Sequence, residues 1–102
     1  MRKAEVLLHD KPAGILEEIS VKQYRFSYYE YYSGPPVSLT MPVSAKEYIY
    51  DKFPPFFEGL LPEGLQLEAL LRREKLDRND FFGQLLVVGT ELVGAVSIRE
   101  IK

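Results

Sequence analysis

The chain contains no cysteine. That absence removes disulfides, zinc–thiolate centres and cysteine nucleophiles together, and it is consistent with a reducing, cytoplasmic home. There is one histidine, His9, with no H-x-x-x-H spacing around it, so a transition-metal site lacks a ligand set. His9 reads as a strand-end residue that faces water or caps a turn. Nowhere do 18 apolar residues run together, so no membrane span is expected. The opening Met1–Val6 carries Glu5 and no long apolar run, unlike a secretory signal. Charge of one sign is also lacking: 13 basic against 15 acidic residues give a net charge of −2. A generic polyanion binder would show a basic excess, so direct nucleic-acid binding is not expected.

The usual catalytic signatures are missing as well. There is no G-x-G-x-x-G, no Walker-type lysine loop and no G-x-S-x-G elbow. Carboxylate pairs such as Glu17-Glu18 or Asp77 and Asp80 sit in plain surface contexts, unlike the paired acids of a glycosidase. Asp80-Phe81-Phe82-Gly83 looks superficially like the metal-binding D-F-G of kinases. It has an extra residue, lies in a helical stretch and lacks an H-R-D partner, so it is read as a helix cap followed by core. From these absences we expect no enzyme, no cofactor and no metal.

What is present is enough for one small core. The 102 residues are 46% apolar and 27% charged, close to globular averages. A chain of this size buries roughly two-thirds of its unfolded surface, so residues 1–102 are expected to form a single domain. Ala4–His9 reads as a strand, Asp10–Gly14 as a turn and Ile15–Ser20 as the returning strand of a hairpin. Tyr24, Phe26 and Tyr28 alternate with polar residues and share one face of a third strand. Ser33-Gly34-Pro35-Pro36 breaks the pattern. Val37–Thr40 alternates again as a short strand, and Glu47–Tyr50 is a weaker one. All seven tyrosines lie between Tyr24 and Tyr50. With only Lys22 and Arg25 nearby, they suit packing on one sheet face and a wet edge, or a protein interface, better than stacking on bases.

After Phe53-Pro54-Pro55 the pattern becomes helical. Phe56, Phe57, Leu60 and Leu61 form an apolar stripe. Pro62 suits the first turn of a second helix, whose Leu67, Leu70 and Leu71 face inward. Glu68 and Arg72 stand at i, i+4 in the favourable order. Asp77–Asp80 offers N-caps, Phe81–Val88 a short helix, Gly89 its C′ position, and Glu91–Ile98 a last strand. The order predicts an α+β fold: a small antiparallel sheet or meander packed with two or three short C-terminal helices and a closing strand.

Phe53–Gly64 combines three phenylalanines, three prolines and two glycines in a constrained turn. Its segment Phe56-Phe57-Glu58-Gly59-Leu60-Leu61-Pro62-Glu63 resembles the F-F-x-x-L-L-P-[ED] of the N-terminal subdomain of HipA-type toxin kinases. Other segments match the same subdomain in order. They are Ala13-Gly14-x-Leu16, Phe26-Ser27-Tyr28, Pro36-Val37-Ser38-Leu39-Thr40-Met41-Pro42, and Phe81–Ile98 with Val88-Gly89 and Val93-Gly94-Ala95-Val96. The resemblance spans nearly the whole chain.

In that family the module precedes a Ser/Thr kinase core, which is absent before the sequence stops at Lys102. The resemblance therefore implies one of two roles. One is a stand-alone antitoxin of the three-component HipBST kind, which neutralises a HipT or HipA-like kinase and reaches operator DNA only through a HipB-like DNA-binding partner. The other is the assembly or dimerisation subdomain of a full-length HipA-like kinase. For the antitoxin role the expected partner-binding surface is the corner built from Phe53, Phe56, Pro62, Glu63, Gly64, Leu65 and Gln66. Leu65 falls outside the Leu67/Leu70/Leu71 stripe, so it either projects beside a rigid Pro-Gly turn as an interface anchor or is buried in the domain's own core.

Overall fold

The computed structural model describes residues 1–92 and 94–102. Five strands form one antiparallel sheet: β1 (Lys3–Leu8), β2 (Lys11–Ser20), β3 (Gln23–Tyr28), β4 (Glu47–Tyr50) and β5 (Val96–Ile101). Their spatial order is β4-β3-β2-β1-β5, so the last strand returns to pair with the first. Between β4 and β5 lie α1 (Pro55–Glu58), α2 (Gly64–Glu74) and α3 (Phe81–Val88), followed by one 3₁₀ turn over Gly89–Glu91. The architecture is the expected α+β, with the helices after the first four strands.

Strand alternation sorts the two faces of the sheet. Ala4, Val6 and Leu8 of β1, Leu16 of β2, Phe26 and Tyr28 of β3 and Ile98 of β5 are buried on one face. Phe53, Phe57, Phe82 and Leu85 descend onto them from the helical layer. Tyr24, Tyr48 and Tyr50 pack at the margin of the same core. Phe26 stands edge-on to Tyr28 at 4.9 Å and tilted against Phe57 at 5.7 Å between centroids. Such geometry favours the ring quadrupoles.

The opposite face carries paired charges. Glu17 lies between Lys3 at 3.8 Å and Arg25 at 3.0 Å, and Arg25 also reaches Glu47 at 3.9 Å. Further along β1, Glu5 accepts from Arg99 on β5 and from the Tyr29 hydroxyl, the latter at 2.6 Å. The Tyr29 and Arg99 bonds hold the Glu5 carboxyl below its usual range. Burial, then the bond to Glu5, pushes the Tyr29 phenol up. Each charge on this face meets its opposite across a strand, so the face offers no free field to a polyanion.

Several local expectations change. The first hairpin turns over His9-Asp10 alone, with φ of 50° and 66°, and Lys11–Gly14 belong to β2. A type I′ turn needs positive φ at both positions, which Asp and His tolerate better than most residues. Pro12 is accommodated because the register slips by one residue between Val6 and Leu7. Val37–Thr40 is a turn, not a strand. Its backbone is taken by side chains: the Tyr28 hydroxyl accepts from the Val37 amide at 3.0 Å, and the Ser38 hydroxyl accepts from the Thr40 amide at 3.2 Å. Such local bonds compete with a sheet ladder.

The helical half also differs in detail. α1 stops after one turn, and Leu60 and Leu61 continue it only as turn residues bonded back to Phe57 and Glu58. α2 starts at Gly64 rather than Pro62, because Glu63 is extended (φ −129°, ψ 166°) and the chain reverses at Gly64. Glu68 pairs with Arg78 rather than Arg72, since the 77–80 turn brings that guanidinium alongside. Asp80 caps α3 as expected, accepting from the Gly83 amide at 3.1 Å. Gly89 has an ordinary helical φ of −57°, so it is not a left-handed C′ residue. It is needed for space: a Cβ there would lie 2.5 Å from the Ile98 Cβ. The final strand begins at Val96 instead of Glu91, because Gly89–Glu91 form the 3₁₀ turn. Val93, part of the expected strand, lies outside the described residues.

Candidate partner-binding surface

The corner between α1 and α2 is built from the chain's least adaptable residues. Pro54 enters it at φ −59° and ψ 130°, and Pro55 takes the first helical position, where its missing N–H costs nothing. The Pro54 carbonyl accepts from the Phe57 and Glu58 amides at 3.1 and 3.0 Å. Phe57 is fully buried and nails this turn to the core. After Leu61 the chain runs through Pro62 and Glu63 to Gly64, whose φ of +60° is left-handed. Only glycine takes that conformation freely.

The structure separates the candidate residues. Phe53 is 4% exposed and belongs to the core, edge-on to Tyr24 at 5.4 Å and tilted against Phe81 at 5.8 Å. It supports the corner from within and does not face outward. Phe56 is half-buried, edge-on to Phe57 at 5.1 Å. Pro62 is half-buried, whereas Glu63, Gly64, Leu65 and Gln66 are exposed. Leu65 is 88% exposed. Glu63–Gln66 therefore occupy one outward tip at the start of α2. Leu70 is the buried residue of that helix, with Leu67 and Leu71 half-buried beside it. The helix thus leans on the domain through its leucine stripe and presents Leu65 away from it.

Beside the tip runs a cleft of about 480 Å³, walled by Leu60, Leu61 and Pro62 on one side and Val88 and Leu92 on the other. Gln66 and Glu91 supply its polar rim. Its mixed lining and open form suit contact with another protein's side chains.

A second cluster was not visible in the sequence. Arg2 donates from Nε and Nη2 to the two carboxylate oxygens of Glu18 at 3.0 and 2.8 Å. It also reaches Asp80 at 2.9 Å and stands over the Phe82 ring, 5.2 Å from its centroid. Bonds from Arg2 hold both carboxyls below their usual range. Gln84, 1% exposed, donates to the carbonyls of Asp77 and Arg78 at 3.2 and 3.0 Å. Both clusters tie the 77–80 turn to the rest of the domain, which is a structural role. No sequence spacing joins residues 2, 18 and 80.

Among the described residues no helix is long and apolar enough to cross a membrane.

A small antiparallel sheet with its helices on one face is a shape many domains share, so the family rests on direct comparison. The family model described as the HipA N-terminal domain matches residues 4–99. The chain belongs to that family. An uncharacterized protein of Haemophilus influenzae is 33% identical over 102 residues, which cover all of this chain and 95% of the relative. Among solved structures, the "N-terminal domain of HipA toxin" superposes with a TM-score of 0.80 at 27% identity, covering all of this chain and 94% of that one.

Proposed function

We propose that this protein is a non-catalytic, cytoplasmic antitoxin that binds and neutralises a HipA- or HipT-like Ser/Thr kinase. The observation that carries the proposal is the extent of the family match: residues 4–99 of 102 correspond to the N-terminal module. The Haemophilus relative is covered to 95% by the match, so that protein is itself little more than the module. Phosphoryl transfer depends on positioned ATP, metal and acceptor rather than on covalent chemistry by the protein. A bound module that holds back nucleotide, activation loop or substrate is therefore sufficient to silence a kinase. The corner at Pro62–Gln66, with Leu65 as anchor and the adjoining cleft as its flank, is the surface assigned to this docking. DNA contact, in this scheme, passes through a HipB-like partner of the kinase.

The test is growth rescue and co-purification with a HipA-family kinase from the same genome. The wild-type chain restores growth and co-elutes. Leu65→Glu, at a site 88% exposed, leaves stability within about 0.5 kcal/mol of wild type and weakens the complex. Failure of the wild-type chain to rescue or bind removes the proposal. Unchanged rescue by a folded Leu65→Glu variant removes the corner as the docking surface.

The second reading, an N-terminal assembly domain of a larger kinase, is favoured by the solved relative described as the N-terminal domain of HipA toxin. An open reading frame continuing into a kinase core would decide for it.

A further inference from the structure

We propose that α2 is a lid. It undocks from the domain as one unit while the sheet and α3 stay folded, and only its closed state presents Leu65 to the kinase. The role given to the closed state rests on the antitoxin reading above.

The leucines that seat α2 stand apart from the core. Leu70 is buried, and Leu67, Leu71 and Leu76 are half-buried. Among the described residues none of the four belongs to the cluster that joins the sheet to α3, or packs against it. The neighbouring helices differ: Phe57 of α1 and Phe82 and Leu85 of α3 lie inside that cluster. Eight of the eleven α2 residues are exposed. Under the first turn, the cleft of about 480 Å³ lies between Gln66 and the wall formed by Val88 and Leu92.

The polar ties are equally thin. Among the described residues, α2 reaches another element through one ion pair, Glu68 with Arg78, whose side chains are 46% and 58% exposed. Solvent screens such a pair to a small contribution. The helix has no side-chain cap at its start, and its first backbone bond, from the Leu67 amide to the Glu63 carbonyl, is stretched to 3.4 Å. Few apolar contacts and solvent-exposed backbone bonds are what mark the elements that open locally, below the cost of global unfolding.

Both ends of α2 have the form of hinges. Gly64 (φ +60°) and Lys75 (φ +56°) are left-handed. Space around Gly64 is open, since a Cβ there would meet nothing within 4 Å. Lysine holds the left-handed conformation against its own Cβ, so rotation at Lys75 relieves it. A few element-terminal residues of this kind suffice to absorb the φ/ψ change of an opening. Once undocked, a helix of 11 residues is marginal in water, so opening hands its amides to solvent. Leu65 lies in the first turn, so the tip keeps its place only while α2 is seated.

Hydrogen exchange on the full chain tests the opening. The α2 amides from Leu70 to Glu74 are expected to be protected about 100-fold less than those of β1 and β2, and to exchange with little urea dependence. Leu70→Ala should leave these amides unprotected and change β1 and β2 by less than threefold. The second measurement is calorimetric titration against the purified HipA-family kinase from the same genome. The Leu70 side chain is 3% exposed and does not face a partner. Its truncation should nevertheless weaken binding at least threefold, in step with the open fraction that exchange reports. Exchange of α2 only together with β1, at equal protection and equal urea dependence, overturns this inference and leaves the antitoxin reading standing. So does a Leu70→Ala loss spread evenly over α2 and the strands, or an unchanged kinase affinity once α2 has opened. No binding by the wild-type chain overturns the antitoxin reading and the lid's role with it.

Discussion

Arg2 offers a sharp test of how this domain is held together. The guanidinium joins β1 to the end of β2 through Glu18 and to the start of α3 through Asp80, while its flat face covers Phe82. Arg2→Ala removes all of these at once and leaves two carboxylates facing each other. The side chain is 38% exposed, so each ion pair is discounted to the solvent-screened scale. Two pairs at about 1 kcal/mol each, with about 0.5–1 kcal/mol from the stacked ring, give a loss of about 2–3 kcal/mol. For a domain near 100 residues this lowers the melting temperature by about 10–15 °C. The pH dependence follows from the depressed Glu18 and Asp80 carboxyls. The unfolded chain protonates first as pH falls, so the stabilisation is complete above about pH 4–5 and disappears as pH drops through the lower folded values. Wild type and Arg2→Ala should therefore converge toward pH 2, leaving only the packing difference. Urea unfolding at pH 7, 4 and 2.5 measures it. A loss under about 0.5 kcal/mol at neutral pH, or a difference that does not change with pH, refutes the reasoning.

Other substitutions probe separate links. Gly89→Ala places a methyl 2.5 Å from the Ile98 Cβ and 2.6 Å from the Ile98 carbonyl oxygen. The resulting overpacking should cost about 1–3 kcal/mol, read as a lowered urea midpoint. Tyr28→Phe keeps the ring but strands the Val37 amide, which the hydroxyl now satisfies. A loss of about 1–3 kcal/mol is expected, with faster hydrogen exchange at that amide.

The sheet was legible because its pattern has a period of two. Tyr24, Phe26 and Tyr28 face inward as their alternation requires, and the registers that pair Ala4 with Leu16 and Leu16 with Phe26 follow from that facing. The Asp80 cap was legible because capping is local. The Val37–Thr40 turn was not, because its alternation is the same as that of a strand. What decides it is a hydroxyl on Tyr28, nine residues earlier in sequence. The candidate corner was half legible. The prolines and Gly64 announced the turn and the Leu67/Leu70/Leu71 spacing isolated Leu65, but nothing local showed that Phe53 turns inward to meet Tyr24 and Phe81. The Arg2–Glu18–Asp80 cluster depends wholly on tertiary closure of β1 against α3, so no window of sequence contains it.

The two functional readings place different demands on the same surface. A module joined in cis to a kinase body sees it at an effective concentration on the order of 1 mM. A contact with Kd near 100 μM then suffices for about 90% occupancy. A separate antitoxin facing its kinase at about 1 μM needs a Kd near 0.1 μM for the same occupancy, a difference of about 4 kcal/mol. Interface anchors worth about 2 kcal/mol each would supply that difference with two residues. Leu65, 88% exposed beside the Pro62–Gly64 turn, is one side chain with the form of such an anchor. The affinity of the isolated chain for its kinase therefore discriminates between the readings. A Kd near 0.1 μM that rises by about thirtyfold in Leu65→Ala, the loss of one anchor of about 2 kcal/mol, belongs to an inhibitor that acts in trans. A wild-type Kd near 100 μM belongs to a domain that relies on covalent attachment.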